Sequence, residues 1–109
     1  MSGDDALTLP FMAVGAHGVI SVASNIIPRE VAQMVKAFSM GQFEVALKLH
    51  QRFYPIFKDL FIETNPVPVK AGLAMLGMIE EEYRLPLVPM ASKNREVLRS
   101  TLRGCGVLK

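Results

Sequence analysis

Apolar residues recur along this chain mostly at helical spacing, and in one place they do not. From Phe43 to about Ile62, the positions Phe43, Ala46, Leu47, Phe53, Phe57, Leu60 and Phe61 share one face, which Val45, Leu49 and Ile56 widen. Pro55 lies inside this run, where it removes a donor and presses on the preceding turn, so a kink is expected. Val31, Met34, Val35 and Phe38 repeat at the same spacing after Pro28, a good first helical residue, and Gly41 stops that helix near Met40. Two shorter patterns follow. One spans Val67 to Leu76 and ends at Gly77. The other spans Asn94 to Arg103, with Arg99 and Arg103 suited to the negative helix end and Gly104 closing it. Near the start, Leu7, Phe11 and Val14 share a face of a helix ended by Gly15. Pro10 belongs in a first turn, which sets the start of the regular helix near Thr8. Glu80–Pro89, with two prolines, reads as a linker.

The exception is Val19–Ala23. Val19, Ile20, Val22 and Ala23 leave both faces apolar apart from Ser21, the pattern of a parallel strand covered on both sides. The prediction is therefore five helices and one strand. A lone strand has two unpaired edges and two uncovered faces. Its partners must come from a longer protein or from another chain.

Composition narrows the function. The chain has 109 residues, half of them apolar, enough for one domain with a core. Its net charge of +2 comes from 12 basic and 10 acidic residues spread along the sequence, with no basic run of the kind that nucleic acid attracts. No apolar run approaches the roughly 20 residues of a membrane span, and the acidic start is unlike a signal peptide. Neither a nucleic acid nor a membrane is an expected partner. Cys105 is the only cysteine, so no internal disulfide can form, and a cytoplasmic location is the simplest expectation.

Candidate chemistry is sparse. Asp4 and Asp5 can be an acid–base pair or helix caps, and capping is the commoner role for acids there. Lys70, between Val69 and Ala71, has the flanks of a Schiff-base lysine, but a role supporting the Asn65–Pro66 turn is the plainer reading. His17 precedes the strand and His50 lies mid-helix, and no cluster has metal-ligand spacing, so no metal site is expected. Cys105 reads as an unactivated thiol in a fraying, Gly-rich tail. Gly15-Ala16-His17-Gly18 joins a helix to a strand, the reverse of a phosphate loop.

Three segments in order, Ser2-Gly3-Asp4-Asp5, Gly18-Val19-Ile20-Ser21-Val22 and Asn65-Pro66-Val67-Pro68-Val69-Lys70, resemble the C-terminal portion of the dihydrodipicolinate synthase (4-hydroxy-tetrahydrodipicolinate synthase) family, over essentially the whole chain. The resemblance implies an α/β fold. This chain would be the C-terminal fragment of a (β/α)8 TIM barrel, a fold of roughly 250 residues when complete. Residues 1–41 would hold the end of strand 7, helix 7, strand 8 (Val19–Ala23) and helix 8. Residues 42–109 would be a C-terminal extension of three helices. Met1 would then be an internal methionine of the full protein.

The family condenses pyruvate with aspartate 4-semialdehyde, on the route to diaminopimelate and lysine, through a lysine Schiff base. The resemblance puts the Schiff-base lysine, the proton-relay tyrosine and the carboxylate-binding threonine outside this sequence. No catalytic residue and no cofactor is assigned here. Ile20, through its backbone, and Gly3, the small residue at the mouth of strand 7, match substrate-lining positions, at the strand ends where barrels carry their sites. Asp4, Asp5 and Asn65 would support that pocket. The implied partners are the missing N-terminal part of the barrel and, for the parent protein, further copies in a homotetramer. Alone, the chain is expected to be inactive and to self-associate or stay molten through exposed apolar faces. Two alternatives remain: an N-acetylneuraminate lyase-like or ketodeoxy-sugar aldolase fragment, and a non-catalytic helical interaction module.

Overall fold

A computed structural model describes residues 1–109. A 3₁₀ turn, Asp5–Leu7, leads into α1 (Thr8–Ala13). A second 3₁₀ turn, Ala23–Asn25, precedes α2 (Pro28–Ser39), α3 (Phe43–Asp59), α4 (Val67–Met75) and α5 (Ser92–Gly104). The five predicted helices are all present. Regular helix begins at Thr8, where Pro10 falls in the first turn and needs no amide partner. Gly15, Gly41 and Gly77 carry positive φ after α1, α2 and α4, a region open to glycine at little cost. At the last helix the positive φ belongs to Gly106, and Gly104 is still helical, so Gly104 is not the stop. Pro55 sits inside α3, which continues through it.

The predicted strand Val19–Ala23 does not form. A single parallel bridge joins Ser2 to Val19, through Ser2 N–H to the Gly18 carbonyl and Ile20 N–H to the Ser2 carbonyl, both 2.9 Å. Only Met1–Gly3 lies alongside, so the ladder has one rung. Beyond it, the Val22 and Ala23 amides are taken by a carboxylate, and Ala23–Asn25 winds into the 3₁₀ turn.

The core is made by helix packing. α2 packs most extensively on α3, and α5 lies against both α3 and α4. Met34, Ile56, Leu60, Leu98 and Leu102 are fully buried. Of the broad face predicted for α3, Ala46, Phe53, Ile56 and Phe57, followed by Leu60, are buried, whereas Phe43, Val45, Leu47 and Phe61 are 44–59% exposed. On the first helical segment the buried side is Thr8, Leu9 and Met12, and the face predicted from Leu7, Phe11 and Val14 is open. Apolar periodicity marks which side is greasy, not what covers it. The tail thiol also differs from expectation. Cys105 is buried, with its Sγ 3.6 Å from the Arg52 carbonyl, and burial pushes its pKa up.

The linker after α4 is tied down by polar contacts. Glu81 pairs with Arg95 of α5 and accepts a hydrogen bond from the Tyr83 hydroxyl at 2.9 Å. Lys70 of α4 lies 5.4 Å from the centre of the Tyr83 ring, a cation–π contact.

Candidate functional site

Local chemistry builds one end of the molecule around the Ser2–Val19 bridge. Because the two segments run parallel, the residues just past the rung emerge on the same side. These are Gly3 and Asp4 on one segment and Ile20 on the other. Ile20 is 73% exposed, and its carbonyl makes no backbone hydrogen bond. Gly3 is exposed too, with open space where a Cβ would stand and no backbone partner. Backbone polar groups left free in this way need a neighbouring strand, water or a ligand.

Asp5 holds the two segments together and is 2% exposed. Its carboxylate accepts from the Val22 and Ala23 amides, each at 3.0 Å, and from the Ser21 hydroxyl in a short contact. It thus caps the 3₁₀ turn at Ala23 rather than its own helix, an arrangement that sequence spacing does not reveal. Asp4 does cap its own turn, accepting from the Ala6 amide at 3.1 Å. Ser2 adds a small loop, its Oγ accepting from the Asp4 amide at 3.1 Å. Asp4 and Asp5 therefore point to different tasks and are not a catalytic carboxylate pair.

Packing of α3 on the first 3₁₀ turn brings a second element to this end. A shallow cavity of about 340 Å³ is lined by Gly3, Asp4 and Ala6 on one side and by Tyr54, Phe57, Lys58 and Phe61 of α3 and its end on the other. The α3 residues were not singled out from sequence, because a helix face gives no signal of what it will lie against. Asn65 follows in the turn after α3 and is exposed. It makes no hydrogen bond to Gly3, Asp4, Asp5 or Ile20, and it does not line this cavity. Lys70 is directed at Tyr83, and His17 and His50 take no part. His50 stacks near Tyr54 and Phe57, and burial lowers its pKa.

Comparison with known proteins gives this geometry a context. Residues 1–104 match the dihydrodipicolinate synthetase family. The 4-hydroxy-tetrahydrodipicolinate synthase of Sulfurihydrogenibium sp. (strain YO3AOP1) is 54% identical over 110 residues, covering 100% of this chain and 38% of that protein. The solved enzyme of the same name from Methylacidiphilum fumariolicum SolV superposes with a TM-score of 0.96 at 55% identity, over 97% of this chain and 35% of its own. Dihydrodipicolinate synthase from Aquifex aeolicus gives 0.95 at 51% identity, covering 98% and 36%. The enzyme from Acinetobacter baumannii, solved in complex with pyruvate, gives 0.94 at 36% identity, covering 98% and 37%. The chain thus spans little more than a third of the length of its relatives. No helix in it is long and apolar enough to cross a membrane. A family match over nearly every residue, with the backbone reproduced throughout, leads to one conclusion: this chain belongs to the dihydrodipicolinate synthetase family.

Proposed function

We propose that this chain is the C-terminal part of a pyruvate-dependent Schiff-base lyase that condenses pyruvate with aspartate 4-semialdehyde. In this reading it supplies pocket wall, and the rest of the barrel supplies the chemistry. Residues 1–41 would be the last quarter of a (β/α)8 barrel, with Ser2 and Val19 as the rung between strands 7 and 8. Residues 42–109 would be the appended helices. The observation that carries the reading is the parallel Ser2–Val19 rung, with free backbone at Gly3 and Ile20 just beyond it. Barrel enzymes bind substrate at the C-terminal ends of parallel strands. A helical interaction module would have no use for such a rung. Pyruvate is the ligand in the solved Acinetobacter relative.

Each residue has a stated part. The Ile20 backbone and Gly3 line the substrate, and Gly3 leaves room because it has no side chain. Asp5 fixes the spacing of the two strand ends, Asp4 caps the adjoining turn, and Asn65 supports the pocket from the turn after α3. The nucleophilic lysine and the proton-relay tyrosine belong to the preceding part of the protein. Copies of the complete protein would assemble as a homotetramer in the cytoplasm.

The test is imine trapping. Turnover is measured with pyruvate and aspartate 4-semialdehyde, and the imine is trapped separately with pyruvate and borohydride, each with the chain alone and mixed with the matching N-terminal part of a relative. Mass spectrometry should find an adduct, and the assay should find turnover, only in the mixture, with the adduct on the N-terminal part. An adduct on this chain alone, at Lys70 or another lysine, overturns the assignment.

A further inference from the structure

Asn65 is exposed and its side chain has no hydrogen bond within the chain, so its position is set by the backbone on either side. Downstream, α4 begins at once: the Val67 amide reaches the Thr64 carbonyl at 3.0 Å and the Lys70 amide the Pro66 carbonyl at 3.1 Å. Upstream, the turn is held by one side chain. Glu63 Oε2 accepts from the Ala91 amide at 3.0 Å and from Asn94 Nδ2 at 2.8 Å, residues 28 and 31 positions away at the start of α5. Bonds to an ionised carboxylate at a helix start are among the stronger protein hydrogen bonds.

The far end of this clamp is rigid. Leu98 and Leu102 of α5 are fully buried, Arg95 is paired with Glu81, and Thr101 donates to Asp59 at the end of α3. α5 therefore offers a fixed reference, and Glu63 ties to it the turn that carries Asn65 two residues later.

We propose that Glu63 is a positioning residue for the reaction, acting through Asn65. Its carboxylate, clamped to Ala91 and Asn94, sets where the Asn65 amide stands at the pocket. This rests on the reading of Asn65 as a pocket residue given above. Glu63 touches no substrate. Its effect is on geometry, and a misplacement of about 1 Å at a reacting site can cost up to ~100-fold in rate.

The experiment uses a chimera of this chain with the N-terminal part of the Sulfurihydrogenibium relative, counting competent sites by borohydride trapping with pyruvate. Glu63→Ala should lower kcat/KM about tenfold per trapped site. Asn94→Ala, which removes one donor without touching the turn, should move it the same way by less. Glu63→Gln, which keeps an acceptor, should restore part of the loss. In an Asn65→Ala background, Glu63→Ala should change kcat/KM by less than twofold, because the path through Asn65 is gone. Equal losses in both backgrounds, or a silent Glu63→Ala beside an impaired Asn65→Ala, overturn the positioning role while leaving the pocket reading intact. A silent Asn65→Ala overturns both. If Glu63→Ala loses its trapped sites, the same comparison is made with Asn94→Ala and Glu63→Gln.

Discussion

Replacing Asp5 by alanine tests the claim that one buried carboxylate holds the two strand ends together. The side chain takes three hydrogen bonds, from the Ser21 hydroxyl and the Val22 and Ala23 amides. Bonds to a charged group contribute about 1.5–3 kcal/mol each, but bonds that share one carboxylate are not additive. The Ala23 residue is 0% exposed, so its amide finds no water when the carboxylate goes. A loss of about 3 kcal/mol follows, the range typical of breaking a buried network. This chain is 38% of its relative, so the chimera has about 290 residues; each kcal/mol then moves Tm by about 1.5–2 °C, and the expected fall is about 5 °C. The neighbouring Asp4→Ala is the control. Asp4 is exposed and makes one capping bond, worth about 1 kcal/mol and hence about 1.5–2 °C. Calorimetry on the chimera carrying each change measures both. If Asp5→Ala melts within 2 °C of Asp4→Ala, or about as high as the parent, the carboxylate is not the strut described here.

Other perturbations read other parts of the fold. Gly72→Ala should leave stability within about 0.5 kcal/mol of the parent, measured by denaturant unfolding. A Cβ there would stand 2.8 Å from Ile26 Cδ1, the tip of a side chain that can turn away, and in ordinary contact with Leu102 Cδ1 at 3.6 Å, so the shift of Ile26 offsets the propensity gain. Arg95 beside Glu81 holds that carboxyl below its usual range, so the pair stabilises the fold above the ordinary carboxylate pKa and loses that contribution as pH falls through the lowered value. Glu81→Gln should therefore cost about 0.5–1 kcal/mol near neutral pH and nothing in strong acid, read by denaturant unfolding across pH. Tyr83, pushed up to about 12 chiefly by burial and then by Glu81, should stay protonated through pH 10 in ultraviolet titration. Cys105, buried with a raised pKa, should react with a thiol reagent at least ~10-fold faster in urea than in the folded protein.

Much of this molecule was legible in the order of its residues. Helix starts and stops follow from local rules: Pro28 opens α2, Pro10 delays α1, and Gly41 and Gly77 take the positive φ that ends α2 and α4. These depend on neighbours within a few residues, so a sequence carries most of them, though the end of α5 fell to Gly106 rather than Gly104. The three segments around Gly3, Ile20 and Asn65 were enough to point to the family.

Partnership was not legible. Val19–Ala23 has the composition of a strand, but strand is a relation between segments, and with only Ser2 beside it one rung forms and the Asp5 carboxylate takes the next two amides. Asp5 reads as a cap for its own helix and serves residues 16 to 18 positions later. Glu63 lies in the turn after α3 and clamps α5. Cys105 reads as tail and is packed beneath Arg52. In each case the local sequence determined what a side chain can offer, a donor, an acceptor or an apolar surface. Only the tertiary structure decided who receives it, because hydrogen bonds and burial are settled between segments far apart in the chain.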